Sequence, residues 1–453
     1  MSTVMRPLPT YKIRPETNDT QLAISAPQLH LRTDVDRVVE VELVNGRDSH
    51  HNTWNPKSWI HRVAAQKVQY PDQLALDSVC QTLHSLPPLI KAEEIERARS
   101  LVVEAASGKA FIIQGGDCTE SFFDVKPAII QKKIMLLREQ STRLSKGLGL
   151  PVVQFGRIAG QYAKPRSSPF ETLPDGTLIN AFRGDNVNGF GLHERVPDPQ
   201  RLLMGYFYAA VTLNSIGHVQ EKEARTSTGS SVPLFTAHEA LHLPYESALT
   251  HDVYNHSAAF VWVGERTRQL DGAHVEYLRG LHNPVGIKVG PKTQPEELVA
   301  LLTRLSSSKG GSKRLAIITR LGAKNVTTVL PRLAEAVRNS GLSPAWICDP
   351  CHGNTVVVGE LKTRVLQDMV DEATLSYAVL REAGWFLSGL HLEQTGESVT
   401  ECIDRHPMAG DEALLKDNYH TLCDPRLSGE QALHVIDSFV AFVQALRNKD
   451  RRG

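Results

Sequence analysis

Short runs of apolar and β-branched residues recur along most of the chain, and stretches with a helical spacing of apolar residues separate them. Strands of a parallel barrel are buried on both faces and therefore give continuous apolar runs rather than alternating ones. The helical stretches include Pro295–Ser306 and Val326–Asn339. Strand alternating with helix eight times is typical of a (β/α)8 barrel, an α/β fold. We therefore predict eight barrel strands, at Ala110–Gln114, Val152–Phe155, Val232–Thr236, Ala259–Val263, Val285–Val289, Leu315–Thr319, Ala345–Cys348 and Gly389–Leu392.

The part of the chain before the predicted barrel has a different pattern. Residues 1–52 mix Pro, Thr, Asp and Asn, which predicts an irregular N-terminal extension. Residues 53–108 predict an N-terminal helical segment, because apolar residues recur every three or four positions over Asp72–Leu86 and Ala92–Ala106. Residues 109–453 are then the predicted (β/α)8 barrel.

Two features inside the predicted barrel depart from a simple strand–helix repeat. The stretch between Phe155 and Val232 is longer than one crossover requires, so we expect an insertion or a long loop there. After the last strand, Ser428 and Gln431 form the pattern of a capping box, which predicts the start of a final amphipathic helix.

The 453 residues are ordinary in composition and carry no net formal charge. Because 50 Lys and Arg residues balance 50 Asp and Glu residues, no global field would attract nucleic acid or an anionic membrane. No apolar stretch approaches the roughly 18 residues of a membrane span, and Met1–Lys12 lacks the apolar core of a secretory signal. Six scattered cysteines are typical of intracellular thiols. We expect a cytoplasmic protein that binds neither nucleic acid nor membrane.

Four possible metal ligands lie at or beyond the ends of predicted strands. Cys118 follows the first strand, His352 the seventh and Glu393 the eighth, and Asp424 lies in the loop beyond it. Barrel sites form where strands end, so we expect these side chains to converge. A thiolate, an imidazole and two carboxylates suit Mn, Co, Fe or Zn better than Mg or Ca. The alternative is four unrelated roles in packing, loop hydrogen bonding and helix capping.

The pair Cys348-x-x-Cys351 invites a zinc-ribbon or a redox interpretation. A zinc ribbon needs a second such pair, which the chain lacks. Redox pairs of the thioredoxin type begin a helix, whereas Pro350 and Gly353 indicate a loop. We interpret Cys348 as a packing residue and leave the role of Cys351 open.

Six cations share the same placement near strand ends. A Lys inside an apolar strand is costly to bury unless an anion neutralises it, and Arg matches carboxylate and phosphate oxygens with two parallel hydrogen bonds. The alternative is ion pairing with Glu239, Glu265 or Asp271, but the cations outnumber these acids. We expect phosphorylated small-molecule substrates, and no Walker loop or strand-linked G-x-G-x-x-G points to a nucleotide. The cations are Arg157, Lys164, Arg166, Arg266, Lys288 and Arg320.

Several long motifs occur in order along the chain: Gln114-Gly115-Gly116-Asp117-Cys118, Gly156-Arg157-Ile158-Ala159-Gly160-Gln161, Lys164-Pro165-Arg166-Ser167, Gly264-Glu265-Arg266-Thr267-Arg268, Asp349-Pro350-Cys351-His352-Gly353-Asn354-Thr355, Thr395-Gly396 and Cys423-Asp424-Pro425-Arg426-Leu427. With these motifs, the chain from about Trp54 to the C-terminus resembles the class II (plant-like) DAHP synthases, where DAHP is 3-deoxy-D-arabino-heptulosonate 7-phosphate. Position 351 is Cys where that family leads us to expect Met. The stretch from Phe190 to His238 is short, as in forms that serve secondary-metabolite pathways, which argues against feedback control by aromatic amino acids.

The resemblance implies a metal-dependent enzyme that condenses phosphoenolpyruvate with erythrose 4-phosphate, at the start of the shikimate pathway. It implies a divalent metal, Mn²⁺ or Co²⁺ before Zn²⁺ or Fe²⁺, and a homodimer or higher homo-oligomer. It places metal ligation at Cys118, His352, Glu393 and Asp424, and catalysis at Cys118, Glu265, Lys288 and His352. It places phosphoenolpyruvate at Arg157, Glu265, Arg266, Lys288 and Arg320, and erythrose 4-phosphate at Lys164, Arg166 and Ser167.

Three other functions fit parts of the pattern. An aminoDAHP synthase would use an amino or imino tetrose phosphate on the same scaffold, and the sequence does not separate it from a DAHP synthase. A metal-dependent hydrolase barrel would usually carry His-x-His at the first strand, where this chain has Gly116-Asp117-Cys118. A non-catalytic homologue would be expected to lack a ligand, whereas all four candidates are present.

Overall fold

The computed structural model describes residues 54–173, 175–226, 233–306, 311–408 and 410–451. Eight parallel strands form a closed barrel within these residues, which confirms the predicted (β/α)8 fold. The predicted N-terminal extension, residues 1–52, lies outside the described residues. In chain order the strands are β1 Phe111–Gly116, β2 Val152–Arg157, β3 Leu234–Glu239, β4 Phe260–Val263, β5 Val285–Val289, β6 Leu315–Thr319, β7 Ala345–Cys348 and β8 Leu387–Glu393.

Strand β1 closes the barrel, because it pairs in parallel with β2 on one side and with β8 on the other. In this register Gly116 lies opposite both Arg157 and Glu393. The last residues of three strands therefore share one level at the rim. This alignment brings side chains that are remote in sequence to the same end of the barrel.

Helices and short hairpins surround the strands. The two-stranded hairpins are Phe170–Thr172 with Leu178–Asn180, Thr250–His251 with Tyr254–Asn255, and Thr355–Val358 with Leu361–Arg364. The described helices contain none that is both long and apolar enough to cross a membrane. They are α1 Gln73–Ser85, α2 Ala92–Ala106, α3 Pro127–Leu148, α4 Gln200–Thr226, α5 Leu243–Ala248, α6 Ala273–Arg279, α7 Pro295–Ser306, α8 Val326–Asn339, α9 Leu366–Glu382, α10 Asp411–Lys416 and α11 Gly429–Asp450.

Several sequence predictions of local structure are confirmed by these bounds. α11 begins with the expected capping box, since the Ser428 side chain accepts from the Gln431 backbone and the Gln431 side chain returns a bond. The first hairpin and the 27-residue helix α4 occupy the long stretch between β2 and β3. The domain boundaries drawn after residues 52 and 108 stay predictions.

The core has two layers. Inward residues of the strands, such as Phe155, Trp262 and Ile347, fill the barrel interior together with Ile95 and Val102 of α2. Outward strand residues pack against the surrounding helices in a second, larger cluster. Alternate strand residues thus face different layers, and both are apolar, which explains why the strands read as continuous apolar runs.

Candidate active site

A cavity of about 230 Å³ lies where the barrel strands end. It collects residues from all eight strands or the loops that follow them, as expected for a site built at a barrel mouth. Arg166 and Ser167 do not line this cavity, whereas the other ten candidate residues do. The lining residues are Cys118, Arg157, Gln161, Lys164, Pro165, Glu239, Trp262, Gly264, Glu265, Arg266, Lys288, Arg320, His352, Glu393 and Asp424.

The turn after β1 depends on a glycine. Gly116 has a φ of 149°, a conformation that residues with a side chain rarely adopt. A Cβ at Gly116 would lie 2.5 Å from the carbonyl oxygen of Arg157. The absence of a side chain therefore lets the chain pass close to β2 and carry Cys118 into the cavity.

Three of the four predicted metal ligands form a tight cluster. One donor atom from each of Cys118, Glu393 and Asp424 lies within 4.8 Å of the other two. The fourth, His352, is adjacent, with Nε2 3.0 Å from Oε1 of Glu393. Asp349 accepts from His352 Nδ1 at 2.7 Å, so the Nε2 atom is the one directed toward the cluster.

The donor set fits a cation. The Lys164 ammonium contacts Cys118 Sγ and lies 2.5 Å from Asp424 Oδ2, so a positive charge already sits between two of the donors. Lys362 contacts the other oxygen of Asp424 at 2.9 Å. Sulfur, imidazole nitrogen and carboxylate oxygen together are the ligands that borderline divalent metals prefer.

Within this cluster the pKa of the Glu393 carboxyl is lowered, whereas the pKa of the Cys118 thiol is raised. Burial would raise the pKa of Glu393, but the charges of His352, Arg364 and Arg157 outweigh it and hold the pKa well below its usual range. Burial raises the pKa of the Cys118 thiol well above its usual range, and Glu393 raises it further. The carboxylate is therefore ready to ligate, whereas the thiol must release a proton to bind a metal.

The cations facing the cluster are held in two ways. Arg157 pairs with Glu393 at 3.1 Å, and the Lys288 ammonium contacts Asp349. Within the described part of the chain, Arg266 and Arg320 form no ion pair. Arg266 donates to Ser167 Oγ at 3.2 Å, and Arg320 donates to the carbonyl oxygen of His352 at 2.9 Å.

The sequence left open that the six cations pair with Glu239, Glu265 or Asp271. Among the described residues, none of the six forms such an ion pair. Glu265 pairs instead with Arg268 at 2.8 Å. Glu239 has a buried Oε1 without a hydrogen-bond partner, and burial raises its pKa although Lys288 offsets part of the effect. Two guanidinium groups and one unpaired carboxyl thus remain available to a ligand in the cavity.

The three residues expected to hold erythrose 4-phosphate occupy different positions. Lys164 is buried among the metal-ligand candidates. Arg166 lies at the rim, where it pairs with Glu171 at 2.6 Å, and its backbone N–H donates to the Gln66 side chain. Ser167 contacts Arg266. Lys164 thus lies beside the metal-ligand candidates, whereas Ser167 lies beside Arg266. The three residues do not form one cluster.

Sequence reasoning missed the residues that hold Arg157. His391 Nε2 accepts from Arg157 at 2.7 Å, and its Nδ1 faces the Gln114 side chain at 2.7 Å. Burial and the charge of Lys288 hold the pKa of His391 well below its usual range, so the ring is neutral and accepts this bond. The Arg157 guanidinium also lies over the Trp262 ring, 5.4 Å from its centroid.

Arg364 was missed because it lies in a hairpin far from any predicted strand end. Its guanidinium donates to Glu393 Oε2 at 2.6 Å and to the carbonyl oxygen of Pro425. It therefore links Glu393 to the residue beside Asp424. The open question of Cys351 also has a structural answer, since its buried sulfur accepts from the Glu393 backbone N–H at 3.3 Å. Cys348 is buried in the outer core, as interpreted from the sequence.

Comparison with known proteins agrees with this geometry. The family model described as "Class-II DAHP synthetase family" matches residues 54–226 and 217–441. A Neurospora crassa protein named phospho-2-dehydro-3-deoxyheptonate aldolase is 39% identical over 449 residues, covering 84% of this chain and 92% of that protein. A Streptomyces coelicolor protein of the same name is 39% identical over 430 residues, covering 83% of this chain and 94% of that protein.

A third relative and one solved structure extend the comparison. A Mycolicibacterium smegmatis protein, also named as a phospho-2-dehydro-3-deoxyheptonate aldolase, is 35% identical and covers 82% of this chain and 92% of that protein. The solved structure of that aldolase from Francisella tularensis has a TM-score of 0.50 at 15% identity, covering 83% of this chain and 97% of its own, and shows the fold alone. On the family match and the three relatives, this protein belongs to the class II DAHP synthase family.

Proposed function

We propose that this protein condenses phosphoenolpyruvate with erythrose 4-phosphate and water, giving DAHP and inorganic phosphate at the first step of the shikimate pathway. Family membership and the names of three relatives support this reaction. The observation that carries it is one cavity in which a cluster of metal-ligand type faces guanidinium groups that have no ion pair among the described residues. None of these three relatives is named as an aminoDAHP synthase, so that alternative finds no support in their names.

Cys118, His352, Glu393 and Asp424 would hold one divalent ion. When bound there, the metal supplies a Lewis acid that polarises the aldehyde oxygen of the four-carbon sugar. The thiol and imidazole donors favour Mn²⁺ or Co²⁺, with Zn²⁺ or Fe²⁺ as further candidates, over Mg²⁺ or Ca²⁺. The clustering of three donors within 4.8 Å supports this assignment.

The cations would bind and orient two anionic substrates. Arg157, Arg266, Lys288 and Arg320 would hold the phosphate and carboxylate of phosphoenolpyruvate, while Lys164, Arg166 and Ser167 would hold the sugar phosphate. Neutralising both substrates removes the repulsion that keeps them apart in water, and a fixed orientation replaces a rare encounter. Trp262 gives one wall of the cavity an aromatic face that Arg157 and Lys288 lie against.

The proposed reaction forms a carbon–carbon bond, adds one water molecule and releases one phosphate. Carbon 3 of the enol attacks the aldehyde carbon, a carbon–carbon bond forms and the aldehyde oxygen takes up a proton. Water adds at carbon 2, and the bond from carbon 2 to the phosphate oxygen breaks to release inorganic phosphate. Glu265, whose Oε2 is buried without a hydrogen-bond partner, would orient that water and accept its proton.

We also propose a cytoplasmic homo-oligomer. The scattered cysteines are free in the structure, which supports a reducing compartment. Size-exclusion chromatography with light scattering tests the assembly, because a monomer mass would contradict it.

The function is tested by mixing the purified protein with both substrates and following the loss of enol absorbance, with and without chelator. We expect activity that chelator abolishes and Mn²⁺ or Co²⁺ restores. Cys118→Ser should lose most activity and most metal affinity, whereas Cys80→Ser, a cysteine outside the cavity, should retain both. Full activity in Cys118→Ser would contradict the assigned role, and no enol loss in the wild type would contradict the reaction.

A further inference from the structure

A buried carboxylate outside the cavity connects two of the loops that build it. Glu372 lies in α9 and is fully buried. Oε1 accepts from the backbone N–H groups of Leu321 at 2.7 Å and Gly322 at 3.0 Å. Oε2 accepts from Asn354 Nδ2 at 2.8 Å. Within the described part of the chain no cation pairs with Glu372.

The three donors belong to the loops after β6 and β7. Leu321 and Gly322 directly follow Arg320, and Asn354 comes two residues after His352. The Arg320 guanidinium also donates to the carbonyl oxygen of His352 at 2.9 Å. Glu372 thus holds both loops next to a site residue. On one loop this residue is Arg320, assigned to phosphoenolpyruvate, and on the other it is His352, assigned to the metal.

The two loops are packed closely enough to move as one unit. Asn354 bridges them directly, because its Oδ1 accepts from the Ala323 backbone N–H at 3.0 Å. A Cβ added at Gly353 would lie 2.2 Å from the backbone nitrogen of Gly322. Such contact leaves little freedom for either loop to shift without the other.

Using a buried carboxyl group to satisfy these donors costs desolvation free energy. Burial raises the pKa of Glu372 to about 8, because the ionised form loses its hydration. An uncharged acceptor would satisfy two backbone N–H groups and one amide at a lower desolvation cost. The three accepted bonds favour the ionised form, and above about pH 8, where that form predominates, its charge makes each bond stronger than one to a neutral acceptor.

We propose that Glu372 is a positioning residue, which sets the Arg320 guanidinium and the His352 imidazole at a fixed separation and thereby couples phosphoenolpyruvate binding to metal binding. The proposal rests on the proposed function for the identity of the two ligands. It goes beyond satisfaction of buried donors, because a purely structural role would change stability without changing either binding constant.

Glu372→Gln tests this coupling. Glutamine keeps the size and one oxygen for Leu321 and Gly322, but it turns an NH₂ group toward the NH₂ group of Asn354. We expect the KM for phosphoenolpyruvate and the Kd for Mn²⁺, measured by calorimetry, each to rise about tenfold, the change that follows from losing one buried hydrogen bond. Glu382→Gln, the same exchange at an exposed position of α9, should leave both constants unchanged.

If Glu372→Gln does not fold, Asn354→Ala tests the same link from the other loop and should raise both constants.

Unchanged KM and Kd in a folded Glu372→Gln or Asn354→Ala protein, with only a lower melting temperature, would overturn the proposal. If the wild type shows no condensation, the proposed function fails, whereas the Mn²⁺ titrations of these variants still decide the role of Glu372.

Discussion

Arg364 offers the sharpest test of how the cluster of metal-ligand type is held. Its guanidinium is fully buried and bonds Glu393, the carbonyl oxygen of Pro425 and Thr355 Oγ1. Arg364→Met removes one charge of a buried pair and leaves Glu393 with Arg157 and His352. Breaking a buried pair from one side costs about 3–5 kcal/mol. Because two partners remain, we expect a loss of about 3 kcal/mol in the free energy of unfolding.

A lysine at this position separates charge from geometry. Arg364→Lys keeps the positive charge but cannot reach all three acceptors, so its stability should lie between those of the wild type and Arg364→Met. The Kd for Mn²⁺ should rise in the same order, at least tenfold for Arg364→Met, because Glu393 and the neighbour of Asp424 lose their common anchor. Urea unfolding at pH 7.5 and calorimetric titration with Mn²⁺ measure the two effects.

The matched control is Arg381→Met, which breaks a pair with Asp450 in which both side chains are largely exposed. Exposed pairs contribute about 0–1 kcal/mol, so this variant should stay close to the wild type in both measurements. An Arg364→Met protein within 1 kcal/mol of the wild type and with unchanged Mn²⁺ affinity would refute the reasoning about the anchor.

Three further results are expected. Arg266→Gln should raise the KM for phosphoenolpyruvate about 10- to 100-fold in steady-state assays, the loss of one hydrogen bond to a charged group, while the exposed Arg332→Gln should not. Gly116→Ala should abolish activity and metal binding, since its Cβ would meet the Arg157 carbonyl oxygen; a fully active protein would contradict this. Burial lowers the pKa of His274 to about 4, so its contribution to stability is complete above pH 6.5 and is lost as pH falls toward 4, by about 3 kcal/mol. Urea unfolding between pH 7 and 4.5 should therefore show a flatter pH dependence for His274→Gln, and equal slopes would exclude the effect.

The strands were predictable because a parallel barrel buries both faces of each strand. Four predicted starts, for example Val152 and Val285, coincide with the observed ones. Four predicted carboxyl ends coincide as well, and the other four fall short of the observed ends. β1 and β8 extend to Gly116 and Glu393, and neither glycine nor a charged residue signals a strand unless its barrel partner is known.

The candidate site was predictable in its residue types and its place in the barrel, but not in its connections. The strand ends indicated that Cys118 and Glu393 would meet, and they do. Nothing in the local pattern indicated that Lys164 would point into the same cluster. Arg364 and Glu372 act on the site through contacts that span distant parts of the sequence, and a single sequence carries no signal for such pairs.

The pairing of β1 with β8 has a consequence for how the protein matures in the cell. Cys118 emerges early during translation, but its partner carboxylate at Glu393 belongs to a strand that is synthesised hundreds of residues later. A nascent chain that stops before Leu387 has no eighth strand and an open barrel edge. Chains that lack Glu393 and Asp424 consequently cannot assemble the donor set, so the thiol gains its full set of neighbours only after both residues have been synthesised.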